Sequence, residues 1–342
     1  MRNHQTSGNG PVTRVRTNSQ PIRLVYLLAA SHSGSTLLAM LLGSHPDICT
    51  VGELKATALG NVDAYRCSCG QPIRACAFWT AVTAAMTARG FNFDIAQAGT
   101  DLRHGASDRA KRLLKPLHRG AMLEAIRDVG LQLTPGWTAH LARVDAVNAG
   151  LVAAIQELTR AAVIVDSSKI GIRLKYLLRN PAFDVKVIRV VRDGRAVALT
   201  YVDPERFADA RDPRLRGGGS GASREDERKP IAQAAREWRR SNEEAQAIIA
   251  GLDPARWIEV RYEAVCSETT ETLDRICRFI GVPNQVSKDF RAVEQHVIGN
   301  GMRLDTTSEI RLDDAWRNTL TAADLAAFDA VAGDLNRRLG YD

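Results

Sequence analysis

Three hydroxyl side chains and a glycine stand together at Ser33-Gly34-Ser35-Thr36. A turn of such small residues at the start of a helix leaves backbone N–H groups unpaired at the positive end of the helix dipole. With the hydroxyl donors, these groups make a site that best fits a phosphate or a similar oxyanion. The other interpretation is an ordinary strand-to-helix turn capped by Ser33 or Ser35. A second phosphate motif is needed to decide between them.

The segments on either side indicate how this turn is positioned. Leu24–Ala29 is a continuous apolar run of strand length, which predicts a buried β-strand. Leu37–Leu42 predicts a helix that starts at the turn. The hydroxyl-rich turn therefore lies at the carboxyl end of a strand, where open α/β sheets bind their ligands.

Two charged residues also follow predicted strands. Glu53 comes just after a short extended segment at 48–51, so its carboxylate could lie beside the reactive end of a bound cofactor. Ala162–Val165 predicts a second buried strand, and Asp166-Ser-Ser-Lys169 follows it. Lys169 is thus a candidate for the active site. The alternative is a surface lysine in a turn.

A second anion motif follows the strand predicted at Val185–Val191. Arg192 comes directly after this strand, and Thr200 lies eight residues further on, in a predicted helix. An arginine fork and a hydroxyl can together hold a separate phosphate. Strands that alternate with helices indicate parallel βαβ units. We therefore predict an α/β fold, with a P-loop-like central parallel sheet flanked by helices and with helical insertions.

These motifs resemble those of sulfotransferases that use 3′-phosphoadenosine 5′-phosphosulfate (PAPS), in particular a bacterial branch related to the tyrosylprotein sulfotransferases. Ser31-His-Ser-Gly-Ser-Thr36 is similar to the loop that binds the 5′-phosphosulfate in that family, usually P-[KR]-S-G-T-T. The segment from Arg192 to Thr200 resembles the 3′-phosphate motif, which normally ends in serine. Further similarity lies at Trp238-x-x-x-Asn242, Arg261-Tyr262-Glu263 and Gly299-Asn-Gly-Met-Arg303, so that the resemblance spans about Ile22 to Tyr341 with gaps.

The resemblance implies a function and a set of site residues. The implied reaction is transfer of a sulfuryl group from PAPS to a hydroxyl or amine of a small-molecule, glycan or peptide acceptor, without a metal. Glu53 would be the catalytic base, with His32 and Lys169 near the sulfuryl group. His32 stands where the family usually has Lys or Arg. The implied cofactor-binding residues are His32, Ser33, Gly34, Ser35, Thr36, Arg192, Thr200, Tyr262 and Arg303.

The order of segments predicts one catalytic domain at 21–342 behind a disordered tail at 1–20. The tail is polar and has no hydrophobic period. A helical insertion is expected at about 78–160, where apolar residues recur at steps of three or four. A glycine-rich stretch with mixed charges predicts a mobile loop at about 207–229, either a lid over the acceptor or an inert insertion.

Cys67-Ser-Cys69 and Cys76 form the densest cysteine cluster in the chain. The Cys-x-Cys spacing is tighter than that of structural zinc sites, and no second pair of cysteines or histidines follows at zinc-finger spacing. We therefore predict a structural loop with buried thiols, or a disulfide of Cys76 with Cys67 or Cys69, rather than a metal site.

The fractions of 45% hydrophobic and 25% charged residues are those of a soluble globular protein. No apolar run approaches the ~20 residues of a membrane span and no signal peptide precedes Leu24, so a cytoplasmic protein is expected. The net charge of +7 suits an anionic ligand, but it would also suit nucleic acid. No nucleic-acid motif is visible, so no nucleic-acid partner is expected. A P-loop kinase is the main alternative, although its GxxxxGK[ST] loop is missing. A non-catalytic anion-binding or nucleic-acid-binding protein is the other. A homodimer is one assembly state that the chain could adopt.

Overall fold

The structure, a computed structural model, describes residues 20–55, 59, 62–115, 120–204, 228–305 and 307–342. The predicted tail therefore lies outside the described residues, apart from Gln20, and so does the predicted loop at 207–229, apart from its last two residues. Within the described residues, no helix is long and apolar enough to cross a membrane.

Five strands form a parallel sheet in the described part of the chain, in the spatial order β2-β3-β1-β4-β5. Their bounds are β1 Ile22–Ala29, β2 Ile48–Thr50, β3 Val163–Lys169, β4 Phe183–Val191 and β5 Trp257–Arg261. β1 pairs in parallel with both β3 and β4. The predicted α/β class with a central parallel sheet is confirmed. Such a sheet is covered on both faces, which explains why β1 reads as a continuous apolar run.

Helices connect the strands and cover the sheet. Their bounds are α1 Ser35–Leu42, α2 Ala77–Ala88, α3 Asp108–Leu113, α4 Gly120–Gln132, α5 Trp137–Thr159, α6 Gly171–Leu177, α7 Gly194–Val202, α8 Ile231–Ile249, α9 Tyr262–Ser267, α10 Thr269–Ile280, α11 Trp316–Thr319, α12 Ala322–Phe328 and α13 Asp334–Arg338. A π-helical stretch, Asp329–Gly333, joins α12 to α13. The segment between β2 and β3 is thus mostly helical.

The two faces of the sheet carry separate apolar cores. Because side chains alternate along a strand, Leu24, Tyr26 and Leu28 of β1 pack on one side with α2, α5, α6 and α8. Val25, Leu27 and Ala29 pack on the other side with α1, α9 and α10. Helices therefore enclose β1 on both faces, and the turn that follows it is held by a rigid strand.

A buried ion pair fixes the course of the chain after β3. This strand is longer than the predicted 162–165, because Asp166 and both following serines are buried within it. The Arg173 Nε of α6 donates to Asp166 Oδ2 at 2.9 Å, and the Arg173 Nη1 donates to the Thr100 carbonyl at 2.9 Å. The Ser168 N–H donates to Asp166 Oδ1 at 2.9 Å. The carboxylate is thus fully enclosed but bonded on both oxygens.

We predict that Arg173→Met lowers the free energy of unfolding by about 3–5 kcal/mol, because it leaves the Asp166 carboxylate buried without its cation. The matched control is Arg179→Met, whose ion pair with Asp128 involves an arginine side chain that is 56% exposed. The control should cost less than about 1 kcal/mol. Urea denaturation measures both values, and similar losses would contradict the prediction.

Candidate active site

Predicted site residues follow the carboxyl end of each of the five strands, although Arg303 lies elsewhere. The hydroxyl-rich turn follows β1, Glu53 follows β2, and Lys169 is the last residue of β3. Arg192 follows β4, and Tyr262 follows β5. Since the strands are parallel, these residues lie along one edge of the sheet. Residues that are up to 230 positions apart in the sequence can therefore form one site there.

The turn between β1 and α1 has the features of an oxyanion site. Gly34 precedes α1 with a φ of 81°, in the left-handed region, and Ser35 is the first helical residue. The Ser33 side chain is buried, and its Oγ has no hydrogen-bond partner within the described residues. A buried hydroxyl without a partner is costly in an apolar setting. The first-turn N–H groups and Ser33 Oγ thus offer donors to an anion.

Tyr262 closes the turn from the opposite side. A Cβ atom added at Gly34 would lie 2.3 Å from the Tyr262 Cδ2 atom, so only glycine allows this approach. The Arg192 guanidinium stacks over the same ring, 4.4 Å from its centroid. Burial raises the pKa of Tyr262, against the opposing effect of Arg192, so the phenol stays neutral. The ring therefore packs against both the turn and the Arg192 guanidinium.

Arg192 is buried and already bonded on two sides. Its Nη1 donates to the His32 carbonyl at 2.9 Å, which ties the end of β4 to the turn after β1. Its Nη2 donates to Asp313 Oδ2 at 2.7 Å and to the Asp313 carbonyl at 3.0 Å. Its Nε has no partner within the described residues. Asp313 is thus an internal anion for this arginine.

Thr200 is placed on α7, which begins two residues after Arg192. Its side chain is buried, and its Oγ1 donates to the Val197 carbonyl one turn back at 2.7 Å. The next residue, Tyr201, contacts the His32 ring edge-on with 4.9 Å between centroids. α7 thus brings Tyr201 into contact with His32, while the Thr200 hydroxyl bonds within the helix.

His32 and Lys169 share an uncommon backbone conformation. In the described part of the chain, positive φ values occur at three residues other than glycine, among them His32 at 63° and Lys169 at 69°. Such conformations cost about 1–3 kcal/mol each and concentrate at functional sites. A β-bulge helps to place Lys169. Tyr26 and Leu28, two residues apart on β1, pair with Asp166 and Lys169, which are three residues apart on β3, so β3 contains one extra residue there.

Lys169 and Glu53 form an ion pair at the edge of the sheet. The Lys169 Nζ donates to Glu53 Oε1, and both side chains are partly exposed. The backbone of Glu53 is held by its N–H, which donates to the Ile298 carbonyl at 3.2 Å. Gly52 makes this contact possible, because a Cβ atom there would lie 1.9 Å from the Ile298 oxygen. The structure therefore brings the two predicted catalytic charges into direct contact.

Arg303 has contacts of a different kind. It is buried, and its guanidinium donates to the Arg66 carbonyl at 3.1 Å and to the Gly299 carbonyl at 2.5 Å. It also stacks over the Tyr65 ring at 4.5 Å. These contacts are typical of a residue that fixes a loop. That Arg303 binds a phosphate stays a prediction.

Sequence reasoning missed three contributors to this edge of the sheet. Asp313, Tyr201 and Ile298 hold Arg192, His32 and Glu53, respectively, and each lies outside the motifs. Tyr201 directly follows the arginine–threonine motif, so its position in the sequence could have marked it as a site residue. No local pattern marks the other two.

The cysteine prediction is partly confirmed. Cys67 and Cys76 are buried, but all six cysteines are free thiols, so the predicted disulfide is not formed. The fold brings His296 to the cluster, with its Nδ1 at 3.5 Å from the Cys76 Sγ. The sequence distance of 220 residues hid this histidine from spacing rules.

Comparison with known proteins points to one family. A model of the sulfotransferase family matches residues 181–286, which include Arg192, Thr200 and Tyr262. The chain is 28% identical to carbohydrate sulfotransferase 2 of Homo sapiens over 196 residues. This match covers 48% of the present chain and 36% of the human protein. The chain thus matches only about a third of the length of these curated relatives. The resemblance to sulfotransferases that the motifs predict is confirmed.

Two solved structures overlap with most of the chain. The sulfotransferase domain from the Synechococcus PCC 7002 olefin synthase has a TM-score of 0.46 at 18% identity, covering 95% of this chain and 97% of its own. The sulfotransferase domain from the curacin biosynthetic pathway has a TM-score of 0.47 at 17% identity. That match covers 95% of this chain and 99% of the curacin-pathway domain.

We predict that Gly34→Ala is more destabilising than Gly90→Ala. Both glycines have φ near 81°, so both variants carry the left-handed penalty of about 1–2 kcal/mol. Only Gly34 faces a close neighbour, Tyr262, whereas a Cβ atom at Gly90 would meet nothing within 4 Å. Overpacking should add about 1–3 kcal/mol at Gly34. If chemical denaturation gives the same loss of unfolding free energy for both variants, the Tyr262 ring is not tightly packed against Gly34.

Proposed function

We propose that this sulfotransferase relative transfers a sulfuryl group from PAPS to a hydroxyl or amine of a small-molecule, glycan or peptide acceptor. The observation that carries the proposal is the convergence of an oxyanion turn, a separate arginine site and a paired lysine and glutamate at one sheet edge. PAPS supplies an activated sulfuryl group and two separate phosphates. The donor set described above fits such a molecule.

The turn after β1 would hold the 5′-phosphosulfate end. Ser33 Oγ is buried without a partner in the described structure, and the N–H groups of Ser35 and Thr36 lie at the positive end of α1. His32 lies next to this turn, with its ring against Tyr201. As an imidazolium it would replace the cation that the family carries at this position.

Arg192 would hold the 3′-phosphate, together with the hydroxyl of Thr200. Guanidinium groups bind phosphate through two parallel hydrogen bonds. In the structure, one side of this fork contacts Asp313, so the 3′-phosphate would have to displace that carboxylate. Tyr262 would keep the guanidinium in place by stacking, with the Arg192 backbone carbonyl held by the indole of Trp238 at 3.2 Å.

Glu53 and Lys169 would act on the reacting groups. Glu53 accepts the proton of the acceptor hydroxyl while the acceptor oxygen forms its bond to sulfur. The bond between sulfur and the bridging phosphate oxygen breaks, and the nucleotide leaves as 3′-phosphoadenosine 5′-phosphate. Lys169 supplies positive charge to the oxygens on which negative charge develops. The transition state is loose, as in phosphoryl transfer, so positioning and charge carry most of the catalysis.

The decisive experiment combines product binding with acceptor screening. In low salt, 3′-phosphoadenosine 5′-phosphate at 100 times its dissociation constant should stabilise the fold by about 2.7 kcal/mol. Calorimetry that shows no binding would overturn the proposal. Mass spectrometry of acceptor libraries incubated with PAPS then identifies the acceptor from the mass of one added sulfuryl group.

We expect Arg192→Ala to weaken binding of 3′-phosphoadenosine 5′-phosphate about 10- to 100-fold, the effect of losing a charged hydrogen bond. Binding of adenosine 5′-phosphosulfate, which lacks the 3′-phosphate, should change much less. Arg195→Ala is the control, since this arginine pairs with Asp193 and stacks on Trp316. Equal losses for both ligands would show that Arg192 serves another part of the nucleotide.

We expect Glu53→Gln to lower turnover by about 100-fold or more, because the amide cannot accept the acceptor proton. The glutamine keeps the shape of the side chain and an oxygen for Lys169, so nucleotide affinity and melting temperature should barely change. Glu157→Gln, on the exposed face of α5, is the control. If Glu53→Gln retains turnover within a few-fold of the parent, the base lies elsewhere.

A further inference from the structure

Three cysteines and one histidine come together beside the loop that supports Glu53. The Sγ atoms of Cys67, Cys69 and Cys76 and a ring nitrogen of His296 all lie within 4.8 Å of one another. The Sγ atoms of Cys69 and Cys76 are 3.7 Å apart. The His296 Nδ1 is 3.8 Å from Cys67 Sγ and 3.5 Å from Cys76 Sγ. Four soft or borderline ligand atoms thus enclose one small volume.

Three of the six separations match the edges of a tetrahedral zinc site. With Zn–S bonds of about 2.3 Å and Zn–N bonds of about 2.0–2.1 Å, the edges of a tetrahedron are about 3.8 Å between two sulfurs and about 3.5 Å between sulfur and nitrogen. The three separations given above agree with these edges to within about 0.3 Å. A cluster of several iron atoms would hold its ligands farther apart.

The His296 ring is oriented as a metal ligand is. It stacks on Phe78 with 4.6 Å between centroids and an angle of 6° between the planes. Its Nδ1 points to the cysteines, while its Nε2 lies 3.6 Å from the Glu294 carboxylate. A carboxylate near the far nitrogen is a common neighbour of ligating histidines. The Glu294 carboxylate lies just beyond hydrogen-bond distance, so the ring is held by its stacking on Phe78.

The cysteine loop is also shaped by its own backbone. The Cys67 N–H donates to the Gln71 carbonyl at 2.9 Å, and the Gly70 N–H donates to the Cys67 carbonyl at 2.9 Å. These bonds form a tight turn that places Cys67 and Cys69 side by side. Cys76 immediately precedes α2, so the start of this helix fixes the position of its backbone. The backbone thus places all three cysteines before any ion binds.

We propose that Cys67, Cys69, Cys76 and His296 bind one Zn²⁺ ion as a structural site. The protein supplies all four ligands, so the ion has no open position for a substrate, which is typical of structural zinc. Binding converts three thiols to thiolates and releases their three protons, while the imidazole remains neutral. The sequence prediction set zinc aside because the Cys-x-Cys spacing is tight and no second pair of ligands follows at zinc-finger spacing. The fourth ligand, His296, lies 220 residues after Cys76.

This zinc site would stabilise the segment that holds the backbone of Glu53. Ser68 lies between two of the ligands, and its Oγ donates to the Gln295 carbonyl at 2.5 Å and accepts from the Val297 N–H at 2.8 Å. The next residue, Ile298, provides the carbonyl that holds the Glu53 N–H. The ion would therefore fasten the 294–299 segment against the cysteine loop and fix the backbone of Glu53.

The test begins with the chain of 342 residues, purified without chelator from medium that contains zinc. Elemental analysis should find one zinc ion per chain after dialysis, and Co²⁺ substitution should give the intense visible absorption of a tetrahedral thiolate site. After unfolding in chelator, all six thiols should react with an alkylating agent. A chain without zinc, or one in which two thiols fail to react because they form a disulfide, would overturn the proposal.

Variants then assign the ligands. Cys69→Ser and His296→Gln should each bring the retained zinc close to zero, while Cys277→Ser keeps it. Cys277 is the matched control because it is a buried free thiol on α10, outside the cluster. A chelator should lower the melting temperature of the parent and of Cys277→Ser but leave that of His296→Gln unchanged. Parental zinc content in His296→Gln would exclude the histidine and with it the proposed site.

Discussion

The parallel pairing of β1 between β3 and β4 is the constraint on which the rest of the structure depends. It requires helical crossovers, and these cover both faces of the sheet with apolar cores. It also sends the carboxyl ends of all five strands to one edge. Groups from five distant segments line this edge in two contacting sets, Glu53 with Lys169, and Arg192 with Tyr262 and the turn after β1. The candidate site is thus a direct product of strand direction.

Local backbone geometry then sets which groups face the site. His32 and Lys169 both adopt left-handed conformations, and the bulge in β3 shifts the second of them by one residue. Gly34 and Gly52 allow contacts that any side chain would block. The packed sheet stabilises these unfavourable conformations. Free energy gained in the core is thereby used to hold the charged groups in place.

The sequence predicts those parts of the molecule that local patterns determine. The apolar run of β1, the hydroxyl-rich turn and Arg192 after β4 are all readable from composition and spacing. The end of β3 is not, because Asp166 looks like a loop residue until Arg173 and Ser168 satisfy its carboxylate. The contacts of Asp313 and His296 could not be predicted for a related reason. Their partners lie more than 120 residues away in the sequence, and spacing carries no information over such distances.

The contact between Arg192 and Asp313 gives the site a built-in competitor. A carboxylate on the same chain has an effective concentration in the millimolar range or above, whatever the solution contains. If Arg192 binds a phosphate as proposed, the incoming anion would gain only the difference between its own interaction with the guanidinium and that of Asp313. Singly charged ions of the medium resemble the carboxylate and would gain almost nothing from the exchange. A doubly charged, tetrahedral group would have the advantage, so the pair would act as a filter for charge.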